Sequence, residues 1–285
     1  MRVPFVMVDV FAEAPFEGNR LCVVPETPPE LTGEQMAMLA LEINFAETTF
    51  VTSARPDGYD VRIFTPDAEI PFAGHPTLGT AFVMASTGRT DVDVVQVSAA
   101  GEVPVRVDLD GGSASMRQLP PTFGPEAGDR AAIAAAAGLG TQDLVNGLPC
   151  VAVSTGLPHV MVPVRDEPTL RGAVRHDSIA GVCDVLEAES LYLFAVRGDG
   201  DVMARMFDRG VAIGEDPATG SAAGPLGAYL AAHGLAGMPG RVTVAQGEMV
   251  RRPSFLHVTV AASGDSWAID VAGGVRRVGE GAFEV

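Results

Sequence analysis

The sequence predicts an α+β protein built from two similar halves, and three observations support this prediction. Short runs rich in β-branched residues outnumber the segments with helical character. Two glycine-bearing turns, 72–82 (FAGHPTLGTAF) and 215–229 (EDPATGSAAGPLGAY), each lead into a predicted helix. Similar blocks recur about half a chain apart, which indicates an internal duplication.

The recurring blocks keep both their order and their spacing. VRIF, with Arg62, precedes the first glycine turn, and ARMF, with Arg205, precedes the second, 143 positions further along. Gly74 and Gly220 within the two turns are separated by 146 positions, again about half of the 285 residues. The halves are therefore expected to be two similar domains.

Chain length and composition agree with two domains. The 285 residues exceed the usual single-domain size of about 100 to 200, and 47% hydrophobic residues suffice for two cores. Segment 119–128 has paired prolines and two glycines, as expected of a linker. The predicted domains are 1–120 and 129–285.

In the first half the residue pattern predicts six strands and two helices. Thr32 is a candidate N-cap for the first helix, with Glu34 in its first turn. In chain order the predicted elements are strands 3–10 and 21–24, helix 31–41, strands 47–52 and 59–64, helix 77–86, and strands 92–97 and 103–108.

The second half repeats this rhythm. Its central helix follows the second glycine turn, as in the first half. The predicted elements are helix 129–137, strands 151–153, 159–164, 191–196 and 202–207, helix 221–233, strands 241–245, 257–261 and 267–271, and one more strand within 273–285.

The charged residues exclude several classes of protein. All 19 basic residues are arginine, because the chain contains no lysine. Without lysine there is neither an internal Schiff base to pyridoxal phosphate nor a Walker-type phosphate-binding lysine. The net charge of −17 argues against nucleic acid and anionic membranes as partners, since binding to phosphate needs basic patches.

The three cysteines, Cys22, Cys150 and Cys183, lie far apart and have no CxxC spacing. Neither a disulfide framework nor a metal site is therefore predicted. Free thiols fit a reducing cytoplasm best. No apolar run is long enough for a signal core or a membrane span, so a cytoplasmic protein is expected.

The two glycine turns predict binding of a small anionic substrate. A turn that leads into a helix leaves backbone N–H groups unpaired at the positive end of the helix dipole, where a carboxylate or a developing oxyanion binds. The backbones of Gly74, Gly220 and Ser221 are the candidate contacts, with the Ser221 hydroxyl as a further donor.

Three ionisable residues are the candidates for proton transfer. Glu47 lies between Phe45 and Phe50 at the start of a predicted buried strand, a setting that raises the pKa of a carboxyl group toward the range of a general acid or base. His75 and Asp216 lie at the two glycine turns, one in each half. For each residue a plain structural role stays open: an ion pair at a strand end for Glu47, a hydrogen bond to its own turn for His75, and a helix cap for Asp216.

Four motifs spread over most of the chain closely resemble the phenazine-biosynthesis (PhzF-like) protein family: VDVFAEAPFEGNRLCVV, EINFAETTFV, RIFTPDAEIPFAGHPTLGTAF and GEDPATGSAAGPLGAYL. This resemblance implies the diaminopimelate-epimerase-like fold, in which each of two pseudo-symmetric domains wraps a curved, mostly antiparallel sheet or barrel around a central helix. It also implies an active site in the cleft between the domains, a homodimer, and no cofactor.

The same resemblance implies roles for individual residues. Glu47 occupies the position of the family's catalytic glutamate, while His75 and Asp216 coincide with positions that the family uses around its substrate. In the epimerase relatives the final strand returns to the first domain, and this alternative is open for 273–285. The two catalytic thiols of those relatives would fall on Ala73 and Thr219.

A two-thiol racemase is therefore disfavoured, and an isomerase that shifts a double bond in a small unsaturated carboxylic acid is predicted. Two alternatives are left open. One is a racemase or epimerase of a small amino or hydroxy acid that uses Glu47 together with His75 or Asp216. The other is a ligand-binding protein without catalysis.

Overall fold

The computed structural model describes residues 1–198, 200–210 and 214–285. The chain forms two compact units, the first made of Met1–Arg117 with Ala272–Val285 and the second of Gln118–Val271. Each unit is a mostly antiparallel sheet with one long buried helix, which confirms the predicted α+β class. The predicted domains, 1–120 and 129–285, differ from these units mainly in where the last strand belongs.

The first unit contains eight strands and two helices up to Arg117, with the end of β17 added from the C-terminus. In chain order these are β1 (Arg2–Val10), β2 (Asn19–Val24), α1 (Gly33–Ile43), β3 (Glu47–Arg55), β4 (Gly58–Phe64), β5 (Glu69–Ile70), α2 (Gly74–Ser86), β6 (Asp93–Ser98), β7 (Gly101–Asp108) and β8 (Ser113–Arg117).

The sheet of the first unit closes into a barrel. The strands pair in the order β17 (Ser266–Glu284), β1, β2, β3, β4, β6, β7 and β8, and β8 pairs with β17 again. The pairs β2–β3 and β4–β6 are parallel. At the closure, the Val275 N–H donates to the Gly112 carbonyl at 2.8 Å. Closure leaves no free edge in this ring of strands.

Helix α2 is the central helix of this barrel. Its residues are almost all buried, and it contacts β1, β2, β3, β6, β7 and β8. A helix enclosed on all sides must be apolar or small all round, as GHPTLGTAFVMAS is. Gly79 is one of these small residues: a Cβ added there would lie 2.6 Å from Leu21 Cδ2 and 2.8 Å from Val10 Cγ2.

Gly79→Ala is expected to be destabilising relative to Gly181→Ala, which provides a matched control. Gly181 is also helical, but a Cβ there meets nothing within 4 Å. Both variants gain the same helix propensity, so the difference in their unfolding free energies isolates the steric cost, about 1–3 kcal/mol for overpacking a buried site. Urea unfolding measures it, and equal stabilisation of both variants would contradict the tight packing around Gly79.

The second unit has a similar set of elements. In chain order these are β9 (Thr122–Glu126), α3 (Arg130–Ala136), β10 (Val151–Ser154), β11 (Pro158–Pro163), α4 (Glu167–Gly172), α5 (Ile179–Leu186), β12 (Ser190–Val196), β13 (Val202–Asp208), β14 (Glu215–Asp216), α6 (Gly220–Ala232), β15 (Gly240–Gln246), β16 (Ser254–Ser263) and the first residues of β17.

The strands of the second unit follow the same plan. They pair in the order β9, β10, β11, β12, β13, β15 and β16, with β11–β12 and β13–β15 parallel. The Gln118 N–H donates to the Ile269 carbonyl at 3.0 Å, which joins the start of the unit to β17. The buried helix α6 contacts β10, β11 and β16, so it is the counterpart of α2.

Three sequence predictions differ from the structure. Helix α2 begins at Gly74 rather than near residue 77, so the glycine turn itself supplies the first helical turn. The predicted linker 119–128 contains β9, whose pairing with β10 is irregular between Val151 and Val153, which lets the strand tolerate Gly124 and Pro125. The two strands predicted near the C-terminus are the single strand β17.

One ion pair recurs in both units and supports the predicted duplication. Arg62 of β4 donates through Nε and Nη2 to the two carboxylate oxygens of Glu69, both at 2.7 Å. Arg205 of β13 binds Glu215 in the same way, at 2.9 and 2.7 Å. Each guanidinium also lies over the phenylalanine ring two residues further along its strand, at 5.1 Å in the first unit and 4.8 Å in the second.

Candidate active site

Glu47 and His75 lie together in the first unit. Glu47 is the first residue of β3, which pairs in parallel with β2, and His75 is the second residue of the central helix α2. Glu47 Oε2 and His75 Nε2 are 3.2 Å apart, with only 13% and 5% of the two side chains exposed. Two groups that both bind protons therefore meet in a largely water-free place.

His75 is uncharged at neutral pH. Its burial lowers the pKa of the imidazole to about 3, and a hydrogen bond to the backbone of Arg20 only partly offsets this effect. The hydrogen bond to Arg20 also means that His75 does not simply bond to its own turn. Because a neutral imidazole carries one proton, Glu47 and His75 can share a proton between their facing atoms without burying a lone cation.

In the second unit Asp216 belongs to a hydrogen-bond network at the start of α6. The Thr219 hydroxyl donates to Asp216 Oδ2 at 2.5 Å. The Gln246 amide donates to the Asp216 carbonyl at 2.8 Å and to Thr219 Oγ1 at 2.9 Å, and it accepts from Tyr192 at 2.8 Å. Thr219 is the N-cap of α6, so Asp216 is not a plain helix cap.

Both central helices begin without a side-chain cap. The N-cap of α2 is Ala73, which has no polar atom to offer, and the Thr219 hydroxyl bonds to Asp216 and Gln246 instead of the helix. The first N–H groups of a helix have no partner within it. Gly74, Gly220 and Ser221 are buried at these two helix starts, and their predicted role in anion binding stays a prediction.

Neither helix start carries a cysteine that could catalyse proton transfer. The two N-cap positions carry alanine and threonine, and the free cysteines Cys22, Cys150 and Cys183 are all buried. Burial raises the pKa of these thiols to about 12, 11 and 11, so they do not act as acids or bases near neutral pH. In the described part of the chain, no group of His, Cys, Asp and Glu is arranged to hold a metal ion.

His159 is a site neighbour that sequence reasoning missed. It lies in β11 with 2% of its surface exposed, and its Nε2 is 3.1 Å from Ser221 Oγ. The sequence suggests only a strand histidine without metal-ligand spacing. The signal that could have identified it is that His159 lies in a predicted strand, because alternate residues of a strand that packs on a central helix face that helix.

His159→Gln is expected to make the protein less sensitive to acid. Burial lowers the pKa of His159 to about 4, so below its ordinary value of about 6.5 the unfolded chain binds a proton that the folded chain does not. The unfolding free energy therefore falls as the pH drops from about 6.5 to about 4, by about 1.4 kcal/mol per pH unit.

Urea unfolding at pH 7.5 and pH 5.0 tests this prediction. Between these two pH values the variant should lose about 2 kcal/mol less than the wild type. His233→Gln, at an exposed histidine, serves as the control and should lose as much as the wild type. An unchanged loss in His159→Gln would contradict the prediction.

The two units, each with a buried central helix, have the diaminopimelate-epimerase-like fold, and this fold defines the class of the protein. Within that class, the sequence model of the phenazine biosynthesis-like proteins matches residues 8–281. The chain belongs to the phenazine biosynthesis-like protein family, as its motifs predict.

Relatives cover nearly the whole chain. An uncharacterized isomerase of Deinococcus radiodurans is 37% identical over 270 residues, 91% of this chain and 87% of the relative. The trans-2,3-dihydro-3-hydroxyanthranilate isomerase of Pseudomonas aeruginosa is 33% identical over 283 residues, 97% of this chain and 98% of the relative. The solved phenazine biosynthesis protein of the PhzF family from Bacillus anthracis covers 100% of both chains, with a TM-score of 0.89 and 27% identity.

The chain is accordingly an enzyme of the isomerase class. Within the described residues, every helix is too short or too polar to cross a lipid bilayer.

Proposed function

We propose that the protein moves a proton within a small unsaturated carboxylic acid, with Glu47 as the general acid and base. The observation that carries this proposal is the approach of Glu47 Oε2 to His75 Nε2, 3.2 Å apart and largely buried. A positioned acid or base in such a site contributes about 10²- to 10⁴-fold to the rate.

The proton transfer has two steps. The Glu47 carboxylate takes a proton from a saturated carbon next to the double bond: the C–H bond breaks, an O–H bond forms, and the electron pair spreads into the unsaturated acid. Protonated Glu47 then returns the proton to another carbon of the same system, and the double bond moves. Product and substrate are isomers, so this scheme uses no oxidant, reductant or cofactor.

His75 supports both steps by its neutral state. Its Nε2 faces Glu47 Oε2, and an uncharged imidazole adds no positive charge that would hold the carboxyl group ionised, so Glu47 can both take and return a proton. The N–H groups at the uncapped start of α2, with Gly74, stabilise the negative charge that develops on the substrate.

The residues of the second unit are proposed in supporting roles. Asp216, held by Thr219, orients the substrate, while Gly220 and Ser221 bind its carboxylate through the start of α6. Asp216→Asn and Ser221→Ala are therefore expected to impair turnover or substrate binding less severely than a change of Glu47.

The remaining proposals concern partners and location. A net charge of −17 supports a small-molecule substrate rather than nucleic acid or a membrane. We propose a homodimer, for which light scattering should give about twice 29.5 kDa. The cytoplasm is the proposed location, because the three cysteines are free thiols.

The substrate is tested in deuterated water, with the reaction followed by NMR. The first compound to test is trans-2,3-dihydro-3-hydroxyanthranilate, the compound in the name of the relative that is 33% identical. A panel of other small unsaturated carboxylic acids follows. The expected result is deuterium at the carbon that receives the proton, together with a moved double bond.

Two outcomes of that experiment would replace this proposal with another. Deuterium at a stereocentre without movement of the double bond would make the protein a racemase or epimerase. A ligand that binds tightly and is recovered unchanged after long incubation would make it a binding protein.

A further inference from the structure

A buried hydrogen-bond chain leads from the start of α6 into the core of the second unit. Nε2 of His159 lies 3.1 Å from the Oγ of Ser221, the second residue of α6, and Nδ1 lies 2.7 Å from the Oγ of Ser190, the first residue of β12. The exposed fractions of these residues are 2%, 9% and 0% in the order His159, Ser221 and Ser190. Water therefore has little access to these hydrogen bonds.

The imidazole of His159 is uncharged at neutral pH, because burial lowers its pKa to about 4. One of its ring nitrogens then donates a hydrogen bond and the other accepts one. Each nitrogen faces a hydroxyl group, and a hydroxyl group adopts either role. Which groups donate and which accept in these two hydrogen bonds thus depends on which ring nitrogen carries the proton.

The two distances favour the tautomer with the proton on Nε2. A distance of 2.7 Å is short for an N–H donor but ordinary for an O–H donor, and 3.1 Å suits an N–H donor. In this tautomer the Ser190 hydroxyl donates a hydrogen bond to Nδ1, and Nε2–H of His159 donates a hydrogen bond to Ser221 Oγ.

This direction decides what Ser221 offers to a ligand. Its oxygen already accepts a hydrogen bond from Nε2–H of His159, so its own O–H group remains to donate elsewhere. Ser221 lies in the first turn of α6, where N–H groups and the helix dipole attract negative charge. A carboxylate only accepts hydrogen bonds, so it requires donors at this place.

We propose that His159 is a positioning residue that fixes Ser221 as a hydrogen-bond donor to the carboxylate of the substrate. The identity of the ligand rests on the function proposed above, but the direction of the hydrogen bonds does not. The arrangement also opposes a role for Ser221 as a nucleophile. A nucleophilic serine gives its proton to the histidine, and the other histidine nitrogen is then held by a carboxylate, whereas here it meets a hydroxyl group.

The first test measures the tautomer directly in the native protein without any ligand. ¹⁵N NMR of labelled histidine side chains distinguishes the protonated from the bare ring nitrogen, and His159→Gln assigns the signal. We expect a neutral ring with the proton on Nε2 at pH 7. A proton on Nδ1, or a doubly protonated ring, would overturn the proposal. Failure to find an isomerase substrate leaves this result untouched, so the two proposals fail separately.

The second test uses a matched pair of variants with the substrate identified by the deuterium experiment. In His159→Gln the amide nitrogen replaces Nε2–H as a donor to Ser221, whereas His159→Leu has no donor. We expect KM to rise about 10- to 100-fold in the leucine variant, as for loss of a hydrogen bond to a charged group, and to stay within about threefold of the wild type in the glutamine variant.

The expected change in kcat is small in both variants, because the lost interaction holds the substrate and the transition state alike. Equal rises of KM in both variants would overturn the positioning role.

Phenylmethanesulfonyl fluoride provides a third test on the native protein, because it labels nucleophilic serines. Ser221 should stay unlabelled by mass spectrometry, and stoichiometric labelling would show that His159 accepts its proton, against the proposal.

Discussion

Replacement of Glu47 by glutamine is expected to lower kcat by about 10²- to 10⁴-fold while the fold is retained. Glutamine has almost the same shape as glutamate and fills the same place beside His75, but its amide neither takes nor gives a proton at neutral pH. The measurement is the rate of product formation and of deuterium incorporation by NMR.

The matched control for this variant is Glu42→Gln, which changes an exposed glutamate of α1. It should keep the kcat of the wild type, because it lies at the surface. Circular dichroism and thermal unfolding of both variants check the fold. A Glu47→Gln protein that exchanges deuterium at the wild-type rate would remove Glu47 from the chemistry.

Arg205→Met is expected to lower the unfolding free energy by about 3–5 kcal/mol, because it leaves a buried carboxylate without its partner. The side chain of Arg205 is only 8% exposed and that of Glu215 is 14% exposed. Nη1 of Arg205 also donates to the carbonyls of Leu170 at 2.9 Å and Ala173 at 2.7 Å, and both would lose this donor, although the Leu170 carbonyl keeps the Ala173 N–H at 3.2 Å.

The first unit provides the control for this prediction. Arg62 makes the same two-point contact with Glu69, but their side chains are 37% and 41% exposed. Water therefore stabilises the carboxylate that Arg62→Met leaves behind, and the expected loss is about 1 kcal/mol or less. Urea unfolding measures both losses, and equal losses would contradict the argument from burial.

A double variant separates the two causes of the larger loss. Arg205→Met combined with Glu215→Leu leaves no charge unpaired, so it is expected to be more stable than Arg205→Met alone. The carbonyls of Leu170 and Ala173 still lack the Arg205 donor in this protein. A double variant no more stable than Arg205→Met would assign the loss to these carbonyls.

The elements that sequence analysis predicts best are those with a strong local signal. Thr32 is the N-cap of α1: its hydroxyl accepts from the Gln35 N–H at 3.2 Å, and the Gln35 side chain accepts from the Thr32 N–H at 3.0 Å. Both partners lie within one turn, so the sequence contains the whole interaction. The two central helices are predicted for a similar reason, since a glycine-bearing turn lies next to each of them in the sequence.

The elements that it missed depend on distant partners. Helix α4 has only six residues, and its last carbonyls are satisfied by Arg205, about 35 positions away. Strand β8 is short and closes a barrel with β17 at the other end of the chain. Isolated helices and strands of this length are marginal, so tertiary contacts, and not the local pattern, determine them.

The candidate site likewise contains residues that the sequence predicts and residues that it does not. Glu47 and His75 stand out because a charged or titratable residue follows an apolar or glycine-rich block, and the structure brings these two residues together. His159, Ser190 and Gln246 look like ordinary strand residues in the sequence. They become important only when strands far apart in the chain bring them to the start of α6.

The path of β17 has a consequence for how the chain folds. Gln118–Val271 is one continuous segment, so all of its strands are available as soon as the ribosome has made it. The first unit is not complete at that stage, because β1 pairs on one side with Phe283, Ala282 and their neighbours, which are synthesised after the second unit. During translation, residues 1–117 emerge before the second unit. We nevertheless expect them to complete their barrel after it, when the C-terminal part of β17 pairs with β1.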